Sequence, residues 1–284
     1  MRLPPQAYFV VSAVFHYLGP AFAVLLFARV DVLGVAWLRI ASAAVVFALW
    51  RRPWRGLRVR LLVAWGSVLA VMNCCFYLAI DRLPLGTVAA IEFVPVIALA
   101  AAGARTLHNA AALALAAMGV YVLTDVRIAG EPLGFVFAFA NAGLFALYIV
   151  LGHRVSRLGV MGGIDGLGAS MLIALLVVTP IAGWGVVPAL NDPVAIAAGV
   201  GVGICSSVIP YVADQLAMAR LSRATYALLV SLLPATATVI GVVVLSQFPG
   251  ALEVLGVALV IAGVAVHREP LRQTAGRAAG ARAA

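Results

Sequence analysis

Asn73–Pro95 reads NCCFYLAIDRLPLGTVAAIEFVP: the end of one apolar run, a tight turn at Asp81-Arg82-Leu83-Pro84, and a carboxylate inside the next apolar run. Glu92 stands eight residues past Pro84 with Thr87 as the only polar side chain between them, and the apolar run continues to Ala102. If that run crosses a membrane, Glu92 lies inside the bilayer. A carboxylate at the centre of a spanning helix costs about 2.5–3.5 kcal/mol on insertion scales, so it is expected to be paired, protonated or functional.

The chain around this stretch has 284 residues, 65% of them hydrophobic and 10% charged, too little polar surface to cover a soluble globule. Apolar runs of about 20 residues recur along it, the length a helix needs to cross a hydrocarbon core of about 30 Å. They are too long for barrel strands and lack period-two alternation. The fold class expected is an all-α integral membrane protein with ten transmembrane helices, near 7–28, 32–50, 61–80, 84–103, 107–124, 132–151, 164–184, 194–214, 223–246 and 250–267. The N-terminus, with Arg2, an apolar run and Ala21-Phe22-Ala23, has the form of a secretory leader; its length and the alternation of sides keep it as a span.

A formal charge of +9 would suit nucleic acid, but the arginines fall in short clusters between apolar runs, the pattern that the positive-inside rule creates. A nucleic-acid partner is therefore excluded. With the N-terminus inside, fifteen of the 19 arginines face the cytoplasm, among them Arg51–Arg60, Arg154, Arg157 and the four of the tail; Arg29, Arg82 and Arg127 face out, and Arg39 lies within a span. Both termini are thus expected in the cytoplasm. Cys74, Cys75 and Cys205 lie in apolar runs with neither metal-ligand spacing nor a disulfide framework, so no metal or cofactor is expected. G-x-S-x-G, H-E-x-x-H and Walker motifs are absent, which argues against a catalytic role and against ATP-driven transport.

Laid on itself with a shift of 138, the chain matches Ala79, Arg82, Leu83, Thr87 and Ala89 to Ala217, Arg220, Leu221, Thr225 and Ala227. The first copy's turn falls outside and the second's inside, so two five-helix repeats of inverted topology are expected at 1–127 and 128–267, followed by a disordered basic tail, 268–284. Such repeats are a common plan of secondary transporters, whose substrate site lies near midplane between them.

At about 1.5 Å per residue, Arg39 lies roughly 10 Å below the outer face, Asn73 about 10 Å and Glu92 about 12 Å. An arginine, an amide and a carboxylate on three helices therefore share one layer. One reading is a polar pocket in which Glu92 carries a proton or holds a substrate cation and Arg39 meets a substrate anion; the other is a structural Arg39–Glu92 ion pair. The first makes an easy proton switch and the second does not. His16, beside the potential kink at Gly19-Pro20, is either a proton shuttle or a buried core residue. Tyr77, Tyr148 and Tyr211 either line the pocket or belong to aromatic belts. Pro95, Pro210 and Pro234 free backbone carbonyls that line a cavity or bend a helix. Gly199 and Gly203 read as packing contacts and Asp214 as an interfacial carboxylate.

The ordered set Gly34-Val35, Leu38-Arg39, Pro53-Trp54-Arg55, Asn73, Phe76-Tyr77-Leu78, Pro84-Leu85-Gly86, Glu92-Phe93, Tyr148-Ile149, Arg154, Pro210-Tyr211, Arg220-Leu221 and Thr225 resembles the EamA family of the drug/metabolite transporter superfamily over nearly the whole chain. The resemblance implies ten helices in two inverted halves in a bacterial inner membrane. It implies efflux of small metabolites, here amino acids of the threonine or homoserine kind, coupled to protons or to exchange. The chain departs from it at Val24, where a lysine is expected, and at Leu233 and Gln247, where glutamates are expected; a further acid is Asp214 here. With its carboxylates thinned in the second half, the site is expected mainly in the first. The other readings of function are an exporter of drug cations or nucleobase-like compounds, and a non-transporting scaffold or sensor.

Overall fold

The computed structural model describes residues 5–51, 59–103, 106–127, 131–157, 163–218 and 232–266. The side chain of Asp214, the second-copy turn with Arg220, Leu221 and Thr225, and the basic tail lie outside the described residues. Within them the chain is helical throughout: α1 Pro5–Leu26, α2 Val32–Arg51, α3 Val59–Ile80, α4 Leu85–Gly103, α5 Leu107–Arg127, α6 Pro132–Arg157 and α7 Gly163–Ala182. A 3-10 helix, Gly183–Asn191, leads into α8 Pro193–Gly203, which runs through a π turn, Ile204–Val208, into α9 Ile209–Met218; α10 Leu233–Leu245 and α11 Ala251–Val266 complete the order.

Among the described residues, six helical stretches are long and apolar enough to cross a membrane: Ala7–Leu26, Val32–Arg51, Arg60–Ile80, Pro132–Gly152, Ile164–Asn191 and Pro193–Ala213. Shorter apolar helices lie at Leu85–Pro95, Leu107–Leu123, Leu233–Leu245 and Ala251–Val266. The chain is a multi-pass membrane protein. Two local features were not expected from the sequence: the seventh run ends in 3-10 geometry, and the eighth carries the π turn. Gly19-Pro20 does not break α1, which runs through both residues.

Helix starts follow from side-chain caps. Asp31 Oδ1 accepts from the N–H groups of Leu33 and Gly34 at 2.9 and 3.4 Å, and Thr106 Oγ1 accepts from Asn109 N–H at 3.2 Å. Asp192 accepts from Val194 and Ala195 ahead of α8, with Pro193 at the first helical position. These N–H groups, Ala195's above all, together with Arg29, hold its carboxyl below the usual range. The α4 start has Pro84 where a capping side chain would stand, and its cap comes from afar: Gln247 Oε1 accepts from Leu85 N–H at 3.1 Å. Ser246 aims that side chain, ending α10 at φ 54° while Gln247 N–H bonds back to Gly241 O.

Small residues set the closest helix approaches. A Cβ on Gly119 of α5 would meet Gly256 O of α11 at 2.6 Å, and one on Gly263 of α11 would meet Ala112 O of α5 at 2.7 Å. Beyond that pair, α2 packs on α7, α3 on α6 and α7, α4 on α6 and α10, and α1 on α9 and α10. One apolar cluster gathers Tyr17, Tyr77, Leu85, Ile91, Phe93, Ala138 and Ala142, and a second gathers Ile40, Phe47, Trp65, Leu69 and Met171.

Candidate functional site

Arg39 and Glu92 are both buried, at 5% and 6% exposure, and among the described residues no ion pair joins them. The structural ion pair is therefore not formed. Each charge instead has neutral partners from the second half of the chain. Glu92 Oε1 accepts from Asn141 Nδ2 of α6 at 3.2 Å. Arg39 donates through Nε to Ser207 Oγ at 3.0 Å and through Nη2 to Ser206 O at 3.2 Å, and its guanidinium lies 5.5 Å from the centre of the Tyr77 ring.

Backbone chemistry makes the Arg39 cradle. Pro210 has no N–H to offer the Ser206 carbonyl four residues back, so that carbonyl turns to Arg39. The π turn around it widens the helix, a geometry frequent at functional sites. Gly203 lets α2 approach: a Cβ there would collide with Ser42 Oγ and stand 2.7 Å from Arg39 O. Gly199 is likewise packed under Leu38, and a Cβ on Gly19 of α1 would collide with Ser206. The sequence expectation that Gly199 and Gly203 are packing contacts matches this geometry. Ser12 Oγ donates to Pro210 O at 3.1 Å, tying α1 to the same segment.

Among the described residues, four buried polar atoms around the two charges have no hydrogen-bond partner: Tyr17 Oη, Tyr77 Oη, Asn141 Oδ1 and Ser206 Oγ. A fifth, Trp65 Nε1, lies apart against Gly152 and Tyr148. Arg39 and Ser206 are the polar groups facing the Tyr77 hydroxyl, outside hydrogen-bonding geometry. Buried polar groups are nearly always satisfied, so these orphans beside Arg39 and Glu92 mark a candidate site.

The remaining sequence candidates fall at different distances from this centre. Asn73 is buried, but its Nδ2 donates to Leu69 O of its own helix at 2.8 Å. His16 is half-buried, edge-on to the Tyr17 ring at 5.1 Å and within electrostatic reach of Arg39. Tyr148 and Tyr211 pack against the second apolar cluster, Tyr148 stacked on Phe145, whose ring meets Phe93 beside Glu92. Pro234 stands in the first turn of α10, its carbonyl accepting from Thr238 Oγ1. Sequence reasoning missed Tyr17, Asn141, Ser206 and Ser207. Asn141 carried a usable signal: nine residues past Pro132, it lies about 14 Å deep by the same rise that placed Glu92.

Above the centre, a cleft of about 380 Å³ opens between the α3–α4 and α10–α11 turns, lined among others by Val24, Arg82, Thr87, Thr238, Gln247 and Glu253. Thr87 and Glu92 are five residues apart on α4, about 7.5 Å along its axis.

The model of the EamA-like transporter family matches residues 132–267. The chain is similar to threonine/homoserine exporters RhtA of Escherichia coli K12, 30% identical over 86% of this chain and 84% of the relative, and of Salmonella typhimurium LT2, 29% identical over 89% and 88%. A crystal structure aligns with 95% of this chain and 100% of its own at a TM-score of 0.61 and 18% identity, a likeness of fold.

Proposed function

The chain belongs to the EamA-like transporter family, and from that footing we propose that it exports amino acids of the threonine kind, or similar small polar metabolites, by alternating access of two inverted five-helix halves in a bacterial inner membrane. Homology supports a membrane exporter rather than an enzyme. The observation that supports the substrate site is the pair of buried opposite charges that bond to neutral partners instead of each other. A zwitterion matches this pair of charges: its carboxylate goes to Arg39 and its ammonium to Glu92. Burying a lone charge costs several kcal/mol, which an opposite charge on a guest offsets.

Three further observations support the reading. Several of the main helix contacts map onto one another when α1–α5 are exchanged for α6–α11, with α8 and α9 taken as one span: α2 on α7, α4 on α10 and α5 on α11 exchange with themselves, and α3 on α6 exchanges with α1 on α9. The two inter-half ion pairs among the described residues, Arg29–Asp192 and Arg51–Asp165, join groups that the positive-inside count puts on one side. The cleft above Thr87 lies on the outer side in that topology and offers an exit. Glu92 is then the group that exchanges a proton for the substrate's ammonium, which couples efflux to the proton gradient.

Labelled threonine in proteoliposomes, with and without an imposed pH gradient, tests this. Gradient-driven flux is expected in the wild type and absent in Glu92→Gln, and Arg39→Ala is expected to lose threonine flux as well. Full flux in Glu92→Gln sinks the proton role. Flux of an organic cation that survives in Arg39→Ala points to a cation exporter instead.

A further inference from the structure

Asn141 and Tyr17 have a task beyond holding the protein together. The Asn141 amide is oriented by Glu92: a carboxylate accepts, so Nδ2 faces it and Oδ1 is turned away, buried and without a donor. The Tyr17 hydroxyl, with its residue at 0% exposure, is also without a partner, and Glu92 is the charged group acting on it. Ile91, Phe93, Ala138 and Ala142 belong to the same apolar cluster as Tyr17. Three buried oxygens from three helices, Tyr17 Oη of α1, a Glu92 carboxylate oxygen of α4 and Asn141 Oδ1 of α6, therefore have hydrogen-bonding capacity to spare, and Glu92 is the charged one. A primary ammonium has three N–H donors; each N-methyl group removes one, and a quaternary ammonium has none. We propose that Asn141 Oδ1 and Tyr17 Oη complete, with the Glu92 carboxylate, a subsite for a primary ammonium group, and that these two residues set the selectivity against N-methylated substrates.

This rests on the reading of the Arg39 and Glu92 charges as the substrate site. The test is thermal unfolding of the detergent-purified protein titrated with L-threonine, N-methyl-L-threonine and N,N,N-trimethyl-L-threonine. The expected result is stabilisation by threonine, with an apparent Kd for the trimethyl compound weaker by about a hundredfold, since a site built to hydrogen-bond a donor strongly rejects analogues lacking it. Tyr17→Phe and Asn141→Leu keep the shape and remove the oxygens, so the discrimination should collapse in both. Selectivity by steric fit alone would persist in these variants and overturns the proposal, as do equal stabilisation by all three compounds, stabilisation by none, or stabilisation by sodium ions in threonine's place. Threonine flux measured in parallel separates the two readings. Flux with unchanged discrimination in the variants sinks the subsite alone, whereas collapsed discrimination without flux sinks the exporter alone.

Discussion

At the scale of single residues, Arg39 decides what kind of site this is. Its bonds to Ser207 Oγ and Ser206 O satisfy two donors without supplying a counter-charge. A structural strut and a substrate contact therefore differ in what their removal does to stability. Arg39→Met removes a buried charge together with its desolvation cost, and such replacements are often neutral or stabilising. Ser207→Ala leaves the charge in place with one fewer acceptor, a loss of about 1.5–3 kcal/mol for a bond to a charged group. The expected order of thermal midpoints in detergent puts Ser207→Ala below Arg39→Met, with transport lost in the latter. If Arg39→Met is the less stable of the two, the guanidinium holds helices together and its substrate role falls.

At the scale of elements, many boundaries were legible because Asp31, Pro84, Asp192 and Pro193 punctuate the apolar runs, whereas the apolar helices described at Leu85–Pro95, Leu107–Leu123, Leu233–Leu245 and Ala251–Val266 are shorter than the common span length expected of them. The π turn was not legible, since nothing in Ile-Cys-Ser-Ser-Val announces a widened turn; it forms where Pro210 withdraws an N–H and Gly203 admits α2. The site was half legible for the same reason. Arg39 and Glu92 stand out as charges in hydrocarbon, whereas Tyr17, Asn141, Ser206 and Ser207 become partners only through contacts between helices far apart in sequence. Glycines test this account of the element. A Cβ on Gly203 has no room against Ser42 and the Arg39 backbone, so Gly203→Ala should cost about 1–3 kcal/mol as overpacking and disturb the cradle. Gly201 has nothing within 4 Å, so Gly201→Ala should gain about 0.4–1 kcal/mol through lost backbone freedom in the unfolded chain. Thermal unfolding of the two variants reads the difference, and equal midpoints would remove the close α2–α8 approach from the explanation.

At the scale of the whole molecule, the same interactions that join the halves also report their orientation. Arg51 at the end of α2 meets Asp165 at the start of α7 at 2.6 Å, and Arg29 after α1 meets Asp192 before α8 at 3.2 Å. Partners within 4 Å cannot lie on opposite sides of a hydrocarbon core about 30 Å thick, so each pair shares one face. If the halves are two five-span sets inserted in opposite senses, as proposed, the arginine count assigns Arg51 to the cytoplasm and Arg29 to the outside. In a background with Cys74, Cys75 and Cys205 replaced, Arg29→Cys and Asp192→Cys should react with a membrane-impermeant thiol reagent on intact cells, while Arg51→Cys and Asp165→Cys should react only after permeabilisation. Labelling of all four from outside, or a split within either pair, is incompatible with ten alternating spans. Reversed labelling of both pairs would keep the inverted halves but turn the protein over, making the cleft above Thr87 a cytoplasmic entrance rather than an exit.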